Sequence, residues 1–88
     1  MFQSHIVYLG TVQGVGFRYT VHRFASELDL VGWVRNLSDG SVEILVEGKK
    51  ESIEELIKNI DEYFSGYIQD KKVTHREAEV HFKDFRIA

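Results

Sequence analysis

The sequence predicts a two-layer α+β sandwich, with two helices covering one face of an antiparallel sheet in the order β-α-β-β-α-β. Three observations lead there. The 88 residues suit one domain, spanning 1–88, with a small core. Two stretches carry apolar residues at helical spacing along a single stripe, so each has one face to bury. The stretches around them show strand-like alternation punctuated by glycine.

Taken in order, Ile6-Val7-Tyr8-Leu9 is apolar and β-prone and reads as the first strand, followed by a glycine-rich stretch from Gly10 to Gly16. Val21, Phe24, Ala25 and Leu28 recur at i, i+3, i+4 and i+7, one face of an amphipathic helix. Gly32-Trp33-Val34-Arg35-Asn36-Leu37 reads as a strand and Asp39-Gly40 as a tight turn. Val42, Ile44 and Val46 alternate with Glu43, Leu45 and Glu47, giving one apolar and one mostly acidic face. Ser52 with Glu55 three residues on reads as a capping box opening the second helix. Its stripe is Ile53, Leu56, Ile57, Ile60 and Phe64, with Gly66 as the stop. Tyr67 to Thr74 is polar and reads as a loop. Arg76, Ala78, Val80 and Phe82 then alternate with Glu77, Glu79 and His81 as the next strand, and Phe85-Arg86-Ile87 is a short extra strand.

Composition narrows the chemistry. The absence of cysteine removes disulfides, thiolate metal sites and thiol nucleophiles. Eleven basic against fourteen acidic side chains leave a net charge of −3, which argues against nucleic acid as a partner. No run approaches the length of a membrane span, and Met1 to His5 lacks the basic flank of a signal peptide. The expectation is a soluble cytoplasmic protein that engages neither membrane nor nucleic acid.

One segment carries chemistry. In Val12-Gln13-Gly14-Val15-Gly16-Phe17-Arg18, two glycines let the backbone turn tightly and gather N–H groups into one concavity. The helix that follows adds its free N–H groups and the positive end of its dipole. Arg18 offers a planar guanidinium suited to a tetrahedral oxyanion. The nucleotide P-loop is excluded because no Lys-Ser or Lys-Thr follows, and the dinucleotide fingerprint because position 19 is Tyr rather than Gly. Spacing alone leaves two readings open, a phosphate cradle or a glycine-rich turn beside a surface arginine.

At these residues the chain resembles the acylphosphatases. Gly10-x-Val12-Gln13-Gly14-Val15-Gly16-Phe17-Arg18 is similar to that family's signature, as is Gly32-Trp33-Val34-Arg35-Asn36-Leu37-x-Asp39-Gly40-Ser41-Val42-Glu43, in register and at the usual separation. The resemblance implies a ferredoxin-like βαββαβ fold and a monomer that hydrolyses small acyl phosphates to carboxylate and inorganic phosphate without cofactor or metal. By position it gives phosphoryl binding to Arg18, with backbone N–H groups of Gln13, Gly14, Val15, Gly16 and Phe17 completing the cradle. It gives orientation of the attacking water to Asn36, while Arg35 points to the opposite face by strand alternation. Two departures stand out. Ser38 replaces a proline common in relatives, and Tyr67 to Lys72 replaces a connection containing proline and glycine, read here as a loop near the rim of the site.

Other residues read more plainly. His5, His22, His75 and His81 are scattered without metal-ligand spacing, and ordinary surface or half-buried roles are expected for each. His22 sits one turn beyond Arg18, within reach of the site, and His75 and His81 would share a face on an unbroken strand. Trp33 and Phe24 read as core. An RNA-binding sandwich of the same order would carry stacking aromatics on its third strand, which here has none. The alternative function is a non-catalytic acylphosphatase-like domain that binds phosphate or serves recognition within a larger maturation enzyme using carbamoyl phosphate. A chain complete at 88 residues would speak against it.

Overall fold

The computed structural model describes residues 1–88. β1 (Phe2–Gly10), α1 (Phe17–Glu27), β2 (Val31–Asn36), β3 (Val42–Gly48), α2 (Lys50–Tyr63), β4 (Ile68–Glu77) and β5 (Phe85–Ile87) follow one another along the chain. The strands form one sheet in the order β4-β1-β3-β2-β5. β3 is central and antiparallel to both β1 and β2, β4 is antiparallel to β1, and only β5 departs, lying parallel to β2. The sheet is therefore mixed at that one edge. The ferredoxin-like sandwich with a short extra C-terminal strand is as the sequence predicts.

Alternation decides which face is which. Ile6 and Tyr8 of β1, Val34 of β2 and Val42, Ile44 and Val46 of β3 are buried toward the helices. They meet Val21 and Ala25 of α1 and Ile53, Leu56 and Ile60 of α2 in one core cluster. Phe17, the first residue of α1, lies in that core between Tyr8 (ring centroids 5.3 Å apart) and Phe64 (4.5 Å). Burying a phenylalanine contributes roughly 2–3 kcal/mol, so this residue anchors the start of α1 to the sheet. The Tyr8 hydroxyl donates to Asp61 (2.9 Å), which also takes Lys71 Nζ. Burial first, and the neighbouring carboxylate second, push the Tyr8 phenol far above its ordinary range. No helix is long and apolar enough to cross a membrane.

Four local expectations are corrected. The capping box does not form: α2 starts directly after Gly48 with Lys49 at the N-cap, so Ser52 already lies inside the helix. Tyr67 to Thr74 is no loop, because β4 begins at Ile68 and pairs with β1 as far as Phe2 opposite Glu77. The alternating Arg76 to Phe82 stretch leaves the sheet after Glu77, and residues 78–84 are irregular. Trp33 is not core; it is half-buried on the face away from the helices, under the Arg35 guanidinium at 4.9 Å. Phe24 flanks the core as a partly buried residue.

Glu47 accounts for the irregular segment. It is buried on β3, and its Oε1 accepts N–H bonds from His81 (2.6 Å) and Phe82 (3.2 Å). Its Oε2 accepts from Gln3 Nε2 (2.8 Å) and lies 2.9 Å from His81 Nδ1. Burial alone would raise its pKa, but these donors outweigh it and hold the carboxyl below its usual value. Ala78 N–H still donates to Met1 O (3.1 Å), and beyond it the carboxylate, not a strand, receives the N–H groups of His81 and Phe82. Glu47→Gln should cost about 1–2 kcal/mol at neutral pH in urea denaturation. A depressed pKa contributes stability that is present above the unfolded value, about 4.3, and lost as pH falls through the folded value. The gap between wild type and variant should therefore narrow below about pH 4.

Candidate active site

Strand direction brings the site together. Since β1 and β2 both oppose β3, and β5 follows β2, these three strands end on the same side of the sheet. β1 leads there into residues 11–16 and the start of α1, β2 ends at Asn36, and β5 ends at Ile87. A cleft of about 310 Å³ opens at that end, lined by Val12, Gly14, Gly16, Phe17, Arg18, Tyr19, Asn36 and Ile87.

The loop owes its shape to two left-handed glycines. Gly14 and Gly16 both have φ of +79°, and a side chain at either would meet nothing, so backbone conformation rather than crowding requires glycine. Gly16 is the N-cap of α1 without any side-chain cap, and the first intrahelical bond runs from Thr20 N–H to Gly16 O (3.1 Å). The N–H groups of Phe17, Arg18 and Tyr19 precede that bond and have no intrahelical acceptor. With no acidic residue in the first turn, the helix end keeps its positive potential toward the cleft. Arg18 is half-buried, and its Nη1 donates to the Ala88 carbonyl (3.2 Å). Ala88 N–H in turn donates to Val34 O (2.8 Å), so β2 sets the position of that carbonyl.

Asn36 belongs to the same strand face as Val34, which is why it reaches the side where α1 begins. Arg35 lies opposite, bonding Glu43 through Nε (2.6 Å). The turn beyond Asn36 is closed by Leu37 N–H on Ser41 O (2.9 Å). Ser41 donates its hydroxyl and its N–H to Asp39, bonds that hold the Asp39 carboxyl below the ordinary range. Gln13 joins this turn to the glycine loop: its Nε2 donates to Leu37 O (2.7 Å) and Ser41 O (2.9 Å).

Of the residues singled out from sequence, Gly14, Gly16, Phe17, Arg18 and Asn36 share the cleft wall. Gln13 and Val15 are not part of it; Gln13 ties the loop to the neighbouring turn and Val15 packs against the core. Three wall residues were given no site role from the sequence: Val12, which lies within the motif, Tyr19 and Ile87. Tyr19 had a signal, its place beside Arg18, but Ile87 had none, since it arrives only through the pairing of β5 with β2. The 67–72 stretch is not at the rim. Tyr67 O accepts from Thr11 N–H (2.9 Å) and supports the loop at its start.

The histidines lie elsewhere. His5 bonds Glu43 (2.7 Å), His75 bonds Ser4, and His81 bonds Glu47. His75 and His81 share no strand, because β4 ends between them. The His22 ring lies 6.1 Å from Phe85 and outside the cleft wall.

A sequence model of the acylphosphatase family matches residues 4–87. The acylphosphatase of Methanospirillum hungatei JF-1 is 49% identical over 71 residues, covering 81% of this chain and 78% of that protein. The crystal structure of acylphosphatase from Bacillus subtilis superposes with a TM-score of 0.90 at 34% identity, covering 100% of this chain and 99% of the other. HypF of T. kodakarensis contains a similar unit, with a TM-score of 0.81 and 33% identity, covering 100% of this chain but 12% of HypF.

The two Gln13 bonds are the polar link between the glycine loop and the turn after Asn36. Gln13→Ala should lower stability by about 1–2 kcal/mol in denaturant titration, the worth of two such bonds.

Proposed function

The chain belongs to the acylphosphatase family, and from that premise we propose that it hydrolyses small acyl phosphates by direct attack of water at phosphorus. Arg18 and the loop N–H groups from Gln13 to Phe17 bind the phosphoryl oxygens, and Asn36 orients the water. The observation that supports this reading most is that one cleft wall combines Gly14, Gly16 and Arg18 with Asn36 from a separate strand.

The reaction asks little of the protein. A carboxylate leaving group, with a pKa of about 4, departs without a general acid. Phosphoryl transfer is chiefly positioning and stabilisation of charge on the transferred oxygens. A guanidinium and a fan of backbone donors supply that charge stabilisation without a covalent intermediate. The contact between Arg18 Nη1 and Ala88 O fixes one end of the fork and leaves its other N–H groups to the phosphoryl group. Water oxygen forms the new bond to phosphorus while the bond to the acyl oxygen breaks, and the carboxylate leaves with the electron pair. An asparagine is not a base, and the wall carries no carboxylate or imidazole. In this reading a non-bridging phosphoryl oxygen takes the water's proton. The wall carries no His, Cys, Asp or Glu side chain, and the reading, which follows the family, calls on neither metal nor cofactor.

A second reading is supported by the HypF match, in which such a unit is a small part of a longer protein. On this second reading the cleft of this chain recognises a phosphorylated group without turning it over.

Hydrolysis of benzoyl phosphate in the presence of a chelator, beside a phosphate monoester, separates the two. Metal-independent cleavage of the acyl phosphate alone is expected. Folded protein that cleaves neither compound, yet binds inorganic phosphate, would favour the second reading. Arg18→Ala should lower turnover at least ~10²-fold and weaken inhibition by phosphate. Asn36→Ala should lower turnover but leave phosphate inhibition nearly intact, because its partner is water; normal turnover in that variant would contradict its role.

A further inference from the structure

Two apolar side chains at the cleft mouth have no part in holding phosphate. Tyr19 is 70% exposed and Ile87 is 42% exposed, and both line the cleft that contains Arg18 and Asn36. Single exposed apolar residues are ordinary on protein surfaces, so exposure alone carries nothing. Their juxtaposition does. They come from the first turn of α1 and from β5, and share one cleft wall because β5 runs parallel to β2 with Ile87 opposite Val34.

Neither residue serves the core or its flanks. The exposed Tyr63 and Tyr67 both pack edge-on against Phe64, whereas Tyr19 has no aromatic neighbour and its hydroxyl no side-chain or backbone partner. The polar donors of the cleft belong to the glycine loop and Arg18, and in our reading a phosphoryl group held by them turns its acyl substituent toward the exposed side chains of Tyr19 and Ile87. The cleft's volume of about 310 Å³ lies at the low end of small-ligand pockets, enough for a compact substituent and not a long chain.

We propose that Tyr19 and Ile87 form the bed for the acyl part of the substrate, so that the chain selects acyl phosphates with an aromatic or compact apolar acyl group over acetyl phosphate. This rests on the acyl phosphate reading of the same cleft. An aromatic acyl ring gains offset contact with the Tyr19 ring and apolar contact with Ile87, while an acetyl group is too small to span both.

The test compares kcat/KM for benzoyl phosphate and acetyl phosphate in wild type, Tyr19→Ala, Tyr19→Phe and Ile87→Ser. The reactivity difference between the two compounds cancels when the benzoyl-to-acetyl ratio is compared across proteins. Tyr19→Ala should lower that ratio about tenfold, the scale on which a hydrophobic pocket discriminates. Ile87→Ser should lower it to a lesser degree, and Tyr19→Phe, which keeps the ring, should retain it. Hydrolysis of both compounds with the wild-type ratio in Tyr19→Ala and Ile87→Ser would overturn the bed while leaving the acyl phosphate reading standing. Failure of the wild type to cleave either compound would overturn both.

Discussion

The site depends on β3 being paired along both edges. Its register with β1 runs from Phe2 opposite Gly48 to Tyr8 opposite Val42, and with β2 from Val31 opposite Glu47 to Asn36 opposite Val42. Val42 is thus the rung at which both pairings end, opposite Tyr8 of β1 and Asn36, the last residue of β2. A slip of one residue between β2 and β3 would turn Val34 and Asn36 outward and Arg35 inward, and one between β1 and β3 would turn Ile6 and Tyr8 outward. The buried trio Val42, Ile44 and Val46 resists a slip of β3, because it would expose three apolar side chains and turn Glu43 inward. Packing of the core and placement of Asn36 are consequences of one alternation.

The second requirement is a backbone that faces an anion instead of the core. Phe17 is driven into the apolar interior while its neighbours on both sides, Gly16 and Arg18, remain on the cleft wall. Left-handed glycines at 14 and 16 let the chain make that change of direction in so few residues. The free N–H groups at the start of α1 are tolerable because they open on a solvent-accessible cleft, where water or an anion can satisfy them. Gln13 and the Asp39–Ser41 contacts hold the two segments of the wall in a fixed relation.

Much of this was legible in the sequence, and the exceptions have physical causes. β1, β2 and β3 each put apolar residues on one face at period two, and both helices carry one buried stripe, so their order follows from local pattern. β4 escaped because it is an edge strand with charged residues along it: Asp70, Lys71, Lys72, Arg76 and Glu77 guard an edge that no further strand covers. Residues 76–82 have the alternation of a strand but find their N–H acceptor in the Glu47 carboxylate beyond Glu77, a long-range contact that no local pattern reveals. Ser52 and Glu55 have capping-box spacing, yet Gly48 hands the chain to the helix earlier. Arg18 and Asn36 stood out through their motifs, whereas Ile87 enters the wall only by a parallel pairing with Val34, far away in sequence.

The central claim is that the cleft holds phosphorus, not the acyl carbon, in the path of water. Hydrolysis of an acyl phosphate in water carrying a heavy oxygen isotope, with both products analysed by mass, tests it most directly. Attack at phosphorus places the label in inorganic phosphate and leaves the carboxylate unlabelled, which is the result this site geometry predicts. Label in the carboxylate would mean attack at the acyl carbon and would contradict the roles given to Arg18, the glycine loop and Asn36.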